Sequence, residues 1–219
     1  MRTRVKICGL TREVDVDAAV AAGADALGFV FYARSARAVS IDTAARLMAR
    51  VPPFVSKVAL FVNAAEDEIA RCLARLPIDL IQFHGDETPA ACAQFAKPWI
   101  RAARMAPGVD LLEFCAAHRD LPGCAGVLAD AHVEGYGGAG RRFDWNLLPQ
   151  TRPLPLILSG GLTPENVGDA IRTVRPFAVD VSSGVEESGD AGKGRKSAER
   201  MERFVREVRD ADANPLSLP

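Results

Sequence analysis

The sequence predicts an α/β fold, a single-domain (βα)8 TIM barrel, and three observations carry this prediction. Short runs of β-branched and aromatic residues alternate with longer amphipathic runs along the whole 219-residue chain. There are eight runs of each kind. The strand candidates are spaced by roughly 25 residues, which suits strand–helix–strand crossovers. No linker or shift of composition divides the chain, so one domain is expected.

The strand candidates are short apolar runs that end at polar residues or glycines, as buried parallel strands do. In chain order they are RVKIC, ADALGFVF, VSKVALFV, IDLIQFH, WIRAAR, AGVLAD, LPLILSG and FAVDVSS. The helix candidates between them are amphipathic. In chain order they are REVDVDAAVAAG, IDTAARLMARV, AEDEIARCLARL, TPAACAQFA, DLLEFCAAHRD, DWNLLPQ, TPENVGDAIRTV and SAERMERFVREVRD. Thr163 followed by Pro164 is a typical helix start, so the seventh helix is expected to begin there.

Two architectures fit this alternation, a doubly wound open sheet and a closed (βα)8 barrel. The count of eight, with strands spread evenly to both ends of the chain, favours the barrel. We expect residues 1–208 to form this catalytic domain and residues 209–219 to form a flexible C-terminal tail.

The composition argues against several classes of function. The formal net charge is −1 and like charges do not form long runs, so neither nucleic acid nor a membrane surface is an expected partner. The chain has no apolar run long enough to span a membrane, and its start lacks the apolar region of a signal peptide. The five cysteines show no metal-binding spacing, which predicts a reduced cytoplasmic setting without disulfides or zinc.

Polar residues cluster at the ends of the predicted strands, where the catalytic groups of such barrels lie. They are Cys8, residues 32–37, Asn63, Gln82, residues 84–87, Arg101, Arg104, Asp130, residues 159–161 and residues 180–184. Together they predict a polar pocket above an apolar barrel.

Two glycine-bearing loops follow the last two strands and predict a phosphate site. The first contains Gly160 and Gly161, and the second contains Ser183 and Gly184. Glycines let backbone N–H groups approach an anion closely, and the loops after strands 7 and 8 are the recurring phosphate site of this fold. The alternative is that the glycines simply turn the chain, but two such loops at the expected strands favour phosphate.

Cys8 ends the first strand beside Gly9, and two interpretations compete. An arbitrary cysteine is most often a buried thiol that serves packing. Here, however, Lys6 lies on the same face of the strand, and its charge is expected to favour the thiolate. A thiolate at the rim of a pocket acts as a nucleophile or as a general base, and composition does not decide between them.

Asp130 ends the sixth strand and precedes a long glycine-rich loop that contains GYGGAG. An aspartate at this position often caps a turn. The loop is of the type that closes over a substrate, and a carboxyl group shielded from water has a raised pKa and holds a proton to donate.

Three further residues are candidates for substrate binding. Arg37 is either a solvated surface arginine or a residue whose guanidinium binds a carboxylate through two hydrogen bonds. His84, in QFHGDE, is either a ligand or a hydrogen-bonded structural residue. Asp180, in the last strand, is the third candidate.

With these segments in view, the sequence resembles the phosphoribosylanthranilate isomerase family of tryptophan biosynthesis from residue 3 to about 205. The matching motifs are VKICGLT, LGFVFYARSARAVS, VALFVN, IQFHGDE, VLADAHVEGYGGAGRRFDW, LSGGLTPENV and RPFAVDVSSGVE. The resemblance implies a (βα)8 barrel, a small phosphosugar–anthranilate substrate, no cofactor and no metal. It also implies an Amadori rearrangement of an aminoaldose to an aminoketose. A monomer is expected rather than a homodimer.

The resemblance implies a role for three residues. The catalytic cysteine of the family falls on Cys8, its catalytic aspartate on Asp130, and its substrate-carboxylate arginine on Arg37. The first then acts as a general base on C2′–H and the second as a general acid on the furanose ring oxygen. The chain departs from the family at SARAV, where Ser-Pro-Arg is usual, and at GDAGKGRKS, where Gly194 replaces the usual acid.

Two rival functions remain at this point. One is the histidine-pathway isomerase, which runs the same rearrangement with paired aspartates and has an aspartate where this chain has Cys8. The other is a non-catalytic phosphate-binding sensor, which would lack the pair of Cys8 and Asp130.

Overall fold

The computed structural model describes residues 2–131, 143–189 and 192–214. Eight parallel strands form a closed barrel in chain order, with the last strand paired to the first. The strands are β1 Arg4–Cys8, β2 Ala26–Phe31, β3 Ser56–Phe61, β4 Leu80–Phe83, β5 Trp99–Met105, β6 Cys124–Ala131, β7 Leu156–Leu158 and β8 Ala178–Val181. The (βα)8 prediction is therefore confirmed, and each strand lies within one residue of its predicted segment or inside it.

Helices cover the outside of the barrel. Within the described residues they are α1 Glu13–Ala22, α2 Ile41–Met48, α3 Glu66–Arg75, α4 Pro89–Ala93, α5 Leu111–Ala116, α6 Val167–Val174 and α7 Ala198–Ala213. Short 3-10 helices span Trp145–Leu147 and Ser183–Val185. No described helix is long and apolar enough to cross a membrane.

Strand alternation divides the buried residues between two sides of the sheet. Val5 and Ile7 belong to the large apolar core that includes the helices, whereas Cys8 belongs to a small cluster with Val30 and Leu60. Lys6 shares the face of Cys8 and is buried. The predicted division of the first strand into an apolar and a reactive face is therefore present in the fold.

Helix α6 begins at Val167, so the prediction that it starts at Thr163 and Pro164 is wrong. The side chain of Asn166 accepts a hydrogen bond from the Thr163 N–H (2.9 Å), and Thr163 Oγ1 accepts one from the Glu165 N–H (3.2 Å). These local bonds hold residues 163–166 in a turn, because short polar side chains compete with helical backbone bonds.

The last helix, α7, begins after Ser197, whose hydroxyl accepts a hydrogen bond from the Arg200 N–H (3.4 Å). A serine is a good N-cap, so the helix starts cleanly without the acid that is usual in the family. The helix ends at Ala213, and the expected division at residue 208 falls inside it.

Candidate active site

The local structure gives Cys8 its place at the mouth of the barrel. Gly9, with φ +80°, ends β1, and its N–H donates to the carbonyl of Gly28 (2.9 Å). Gly28 is the register partner of Cys8, and a Cβ there would press on the Cys8 sulfur. The two glycines therefore leave room for a thiol that is 5% exposed and borders Val30 and Leu60.

A buried ion pair lies beside this thiol. Lys6 Nζ donates to Asp180 Oδ1 (2.7 Å), and Ser159 Oγ donates to Asp180 Oδ2 (3.2 Å). Both oxygens of Asp180 thus have protein partners. The positive charge of Lys6 acts on the Asp180 carboxylate and on the Cys8 thiol.

The pKa of Cys8 is raised above its ordinary value. Burial is the main cause, the charge of Lys6 opposes it, and the charge of Asp180 adds to it. The expectation that Lys6 lowers the pKa of this thiol is therefore wrong in its net direction. Strand alternation predicted that Lys6 lies on the face of Cys8. It did not predict the burial of the thiol or the nearby charge of Asp180.

Asp130 ends a second buried network at the same mouth. Its Oδ1 accepts a hydrogen bond from the Ala131 N–H (2.9 Å), and its Oδ2 lies 3.0 Å from His84 Nε2. His84 Nδ1 in turn lies 3.0 Å from Gln82 Nε2. All three side chains are buried, so His84 lies between the carboxylate and an amide. The glycine-rich loop expected to cover Asp130 lies outside the described residues.

Arg37 is buried and holds Glu186 as a bidentate partner. Its Nε donates to Glu186 Oε1 (2.7 Å) and its Nη2 to Oε2 (2.9 Å). The loop that carries Arg37 keeps its turn without the family's proline, because the Ser35 hydroxyl accepts a hydrogen bond from the Arg37 N–H (3.1 Å). The interpretation of Arg37 as a solvated surface residue is excluded.

Lys196 completes this charged cluster, and sequence reasoning missed both it and Glu186. Its Nζ donates to Glu186 Oε1 (3.0 Å) and to the carbonyl of Ser182 (3.1 Å). Ser182 Oγ donates to the carbonyl of Cys8 (3.0 Å), so Ser182 connects the cluster to the backbone of Cys8. Burial lowers the pKa of Lys196, and Glu186 opposes that shift.

Arg101 forms hydrogen bonds with the loop after β4. Its guanidinium donates to the carbonyls of Phe83 (3.3 Å) and Gly85 (2.9 Å), and it lies 3.5 Å from a carboxylate oxygen of Glu87. Arg104 pairs with Asp86 in the same loop. These arginines therefore shape the segment that follows His84.

The two glycine-bearing loops touch each other. Gly160 and Gly161 have φ of +84° and +65°, a region that favours glycine. A Cβ at Gly184 would overlap the carbonyl of Leu162, so the loop after β8 packs directly on the loop after β7. Within the part of the chain that the structure describes, the N–H groups of Gly161, Ser183 and Gly184 donate to no other atom.

The predicted site residues thus form three groups around one mouth. Cys8 and Asp180 lie in the first, His84 and Asp130 in the second, and Arg37 near the loops after β7 and β8. In the ring, β7 and β8 separate β6 from β1, so Asp130 and Cys8 come from strands three apart. A pairing of Glu186 with Lys196 has no periodic signal in the sequence, because both lie in loop segments brought together by tertiary structure.

A closed barrel of eight parallel strands with buried titratable side chains at the carboxyl ends of its strands defines a (βα)8-barrel enzyme that acts on a small molecule. Residues 5–207 match the family model of N-(5′-phosphoribosyl)anthranilate (PRA) isomerase. The chain belongs to this family and is an isomerase of tryptophan biosynthesis.

Named relatives and solved structures agree with this assignment. The N-(5′-phosphoribosyl)anthranilate isomerase of Dechloromonas aromatica is 58% identical over 212 residues, which cover 97% of this chain and 99% of that protein. The enzyme of Methylibium petroleiphilum is 57% identical over 213 residues, 97% of each chain. The crystal structure of the Thermotoga maritima enzyme has a TM-score of 0.84 at 39% identity and covers 95% of this chain and 99% of that one.

A further crystal structure contains a ligand. It shows phosphoribosyl anthranilate isomerase in complex with reduced 1-(o-carboxyphenylamino)-1-deoxyribulose 5-phosphate, with a TM-score of 0.81 and 37% identity. It covers 95% of this chain and 99% of that one.

Proposed function

We propose that this chain converts N-(5-phosphoribosyl)anthranilate to 1-(2-carboxyphenylamino)-1-deoxyribulose 5-phosphate by general acid–base catalysis. Asp130 is the acid and Cys8 is the base. The observation that carries this proposal is the burial of both groups at the carboxyl ends of two strands of one closed barrel, with His84 bonded to Asp130 and the charge of Lys6 acting on Cys8. The relatives' names and the product analogue bound to one of them support the same substrate.

The chemistry requires an acid and a base on different atoms of the substrate. Asp130 donates its proton to the furanose ring oxygen, the C1′–O bond breaks, and the anthranilate nitrogen becomes an iminium. The Cys8 thiolate then removes the proton from C2′, which the iminium makes acidic. The resulting enol loses its O–H proton and gains a proton at C1′, which gives the ketone. A thiolate is a sufficient base because the iminium has already withdrawn electrons from C2′.

The buried surroundings of Cys8 make its ionisation costly, and Lys6 is the main cation that offsets this cost. The raised pKa keeps the free chain in its thiol form at neutral pH. Val30 and Leu60 shield the thiol, and a base without a tight water shell is more reactive toward carbon acids.

Arg37 is proposed to bind the anthranilate carboxylate while it holds Glu186. The cluster of Arg37, Glu186 and Lys196 contains two cations and one anion, so a bound carboxylate would balance its charge. Nη1 of Arg37 takes no part in the Glu186 pair, and its N–H groups are the donors proposed to bind the substrate carboxylate. We propose that His84 and Asp180 border the substrate beside the two catalytic groups.

Replacing Arg37 with alanine should raise KM by about ten- to one-hundredfold, since a charge-assisted contact with the substrate carboxylate is lost in both ground and transition states. Steady-state kinetics of Arg37→Ala measure this. Arg34→Ala, an exposed arginine of the same loop, is the control and should leave KM unchanged. A large fall in kcat at constant KM would instead place Arg37 in the chemical step.

The phosphate of the substrate is proposed to lie against the loops after β7 and β8. The N–H groups of Gly161, Ser183 and Gly184, which donate to no other described residue, and the contact between the loops support this position. A ligand-bound crystal structure should show the phosphate on these groups. Phosphate bound to Arg101 and Arg104 instead would contradict the proposal.

Gly184→Ala should raise KM by about tenfold or more with a smaller change in kcat, because the new Cβ would push the loop off the Leu162 carbonyl and move two phosphate donors. Inhibition by inorganic phosphate should weaken in parallel. Gly108→Ala is the matched control, since Gly108 also has a positive φ (+88°) but no atom lies near its Cβ position. Equal KM values in the two variants would show that the loop does not hold the phosphate.

We also propose that the chain is a monomer in the cytoplasm. Its described large apolar side chains that are exposed, such as Val14, Phe54 and Leu147, come from five separate segments of the chain, and scattered exposure is normal for a monomer. All five cysteines are free thiols, which suits a reducing compartment. Sedimentation equilibrium and cell fractionation test these two points, and a dimer mass would overturn the first.

The activity itself is tested by the loss of anthranilate fluorescence when purified chain is mixed with N-(5-phosphoribosyl)anthranilate. The expected result is full turnover by the wild type and none by Cys8→Ser above the uncatalysed rate. Activity on the aminoaldose of histidine biosynthesis, with none on the anthranilate compound, would favour the rival isomerase.

A further inference from the structure

Lys196 is a buried cation that takes part in neither proton transfer. Its side chain has no exposed surface, and its Nζ donates to Glu186 Oε1 (3.0 Å) and to the carbonyl of Ser182 (3.1 Å). Burial lowers the pKa of this lysine, which shows that the charge is costly to keep there. An apolar side chain of similar size often serves a fold at least as well as a buried ion. A fully buried lysine beside the site therefore calls for a functional reason.

On one side, Lys196 acts on the arginine that is proposed to bind the substrate carboxylate. Glu186 Oε1 accepts from Lys196 Nζ and also from Arg37 Nε (2.7 Å), while Oε2 accepts from Arg37 Nη2 (2.9 Å). The stem of Arg37 is closely packed, since a Cβ at Gly9 would collide with its Cδ. Glu186 thus fixes the guanidinium of Arg37, and Lys196 fixes the carboxylate of Glu186.

On the other side, Lys196 holds the peptide that opens the loop proposed to bind phosphate. The Ser182 carbonyl and the Ser183 N–H belong to one planar peptide unit and point in opposite directions. A hydrogen bond from Lys196 to this carbonyl therefore sets the direction of the Ser183 N–H. The Ser182 hydroxyl also donates to the Cys8 carbonyl (3.0 Å), which ties the same residue to the end of β1.

The backbone of Lys196 is itself fixed. Its N–H donates to Asp15 Oδ2 (3.1 Å), and its carbonyl accepts from Arg12 Nη2 (3.0 Å). Arg12 and Asp15 also pair with each other at the start of α1. On its other side, Lys196 forms an antiparallel bridge with Glu186. The ammonium group is thus attached to the barrel independently of the two loops that it joins.

We infer that Lys196 is a positioning residue that aligns the carboxylate-binding and phosphate-binding groups of the site with each other. It directs Arg37 through Glu186, and it directs the Ser183 N–H through the Ser182 carbonyl. The proposed substrate has a carboxylate at one end and a phosphate at the other, so the binding of both ends depends on one ammonium group. This inference rests on the proposed function, which assigns the two ends of the substrate to these groups.

Lys196→Met tests the inference, because methionine has a similar length but no charge. Arg37 and Glu186 remain paired through two hydrogen bonds, so no buried charge is left alone and the melting temperature should change little. We expect the inhibition constants of anthranilate and of inorganic phosphate each to rise about fivefold. KM should rise by about the product of the two factors, since alignment acts on binding.

The turnover number should change less than KM does. The charge of Lys196 also acts on the Cys8 thiol, but less than the charges of Lys6 and Asp180 do. A large fall in kcat with unchanged KM would place Lys196 in the chemical step and would overturn the inference. Unchanged inhibition by either probe would overturn it as well.

The Arg37→Ala background separates positioning from a direct effect of the lysine charge on substrate. If Lys196 acts on the carboxylate through Arg37, Lys196→Met should raise KM in this background only by the factor found for phosphate, about fivefold. A factor as large as that in the wild-type background would mean that Lys196 acts on the carboxylate directly, which contradicts the inference.

Lys193→Met is the matched control, because Lys193 is an exposed lysine three residues earlier in the same segment. It removes the same charge and should leave KM and both inhibition constants unchanged. Equal effects of the two variants would show a general effect of charge and would overturn the inference. If Lys196→Met does not fold, Lys196→Gln, which keeps a donor but no charge, is judged by the same criteria.

The experiment separates this inference from the function on which it rests. If Arg37→Ala leaves KM unchanged, the proposed carboxylate site is wrong and the inference falls with it. If Arg37→Ala raises KM while Lys196→Met does not, the proposed function stands and only the role of Lys196 falls.

Discussion

Cys8→Ala should fold normally and lose most of its kcat, by about 10²- to 10⁴-fold, because the deleted group acts only in proton abstraction. The side chain is small and borders a limited apolar cluster, so its removal leaves the barrel intact. Fluorescence assays and thermal unfolding of the purified variant measure the two effects. More than about a tenth of the wild-type kcat would rule out Cys8 as the base.

A second buried cysteine separates loss of chemistry from loss of packing. Cys92 lies in α4 with no exposed surface, and burial raises its pKa to about 12, so it is inert. Cys92→Ala should lower the melting temperature without changing kcat. If both variants lost activity equally, general destabilisation would be the cause.

The pH profile of kcat/KM gives an independent view of the same base. Cys8 must be ionised to accept a proton, and burial raises its pKa, so the rate should still be rising at the ordinary thiol value of 9.0. The rising limb should be about tenfold per pH unit on the acidic side. A plateau already present near neutral pH would show that the thiolate is formed by a different environment or that another group is the base.

Asp130→Asn should also lose about 10²- to 10⁴-fold in kcat, because an amide cannot donate the acidic proton that opens the furanose ring. Asparagine keeps the size of the side chain and can still accept from the Ala131 N–H, so the fold and KM should change little. Steady-state kinetics with a binding measurement for a product analogue test both parts.

The control for this variant is Asp110→Asn. Asp110 is an exposed N-cap of α5, and asparagine caps a helix as well as aspartate does. Its kcat should equal that of the wild type. Retained turnover in Asp130→Asn, or a loss of the same size in Asp110→Asn, would remove the basis for assigning the acid.

The barrel was predictable because its signals are local and repeated. Each strand is a short apolar run between breaks, and the even spacing of eight such runs leaves few other topologies. The start of α6 was not predictable in the same way. Thr163 and Pro164 have the local pattern of a helix start, but Asn166 accepts from the Thr163 N–H in a turn and donates to the carbonyl of Gly161 in the preceding loop.

The position of the candidate residues at one mouth of the barrel was predictable, but their electrostatics were not. Alternation in β1 places Lys6 on the face of Cys8, and the structure buries both side chains. The net pKa shift depends on burial and on Asp180, which comes from the far end of the chain, and no local pattern reports either. Glu186 and Lys196 were missed for the same reason, since each appears in the sequence as an ordinary loop charge.

The long reach of these contacts has a consequence for the newly made chain. Lys6 and Asp180 are 174 residues apart, and Ser182 is equally far from Cys8. A ribosome adds about 5–20 residues per second, so Asp180 is synthesised on the order of ten seconds or more after Lys6. During that interval the first strand has no neighbour on one edge and the thiol lies in water with an ordinary acidity. Cys8 is therefore most open to oxidants before release from the ribosome, and closure of the last strand ends that exposure.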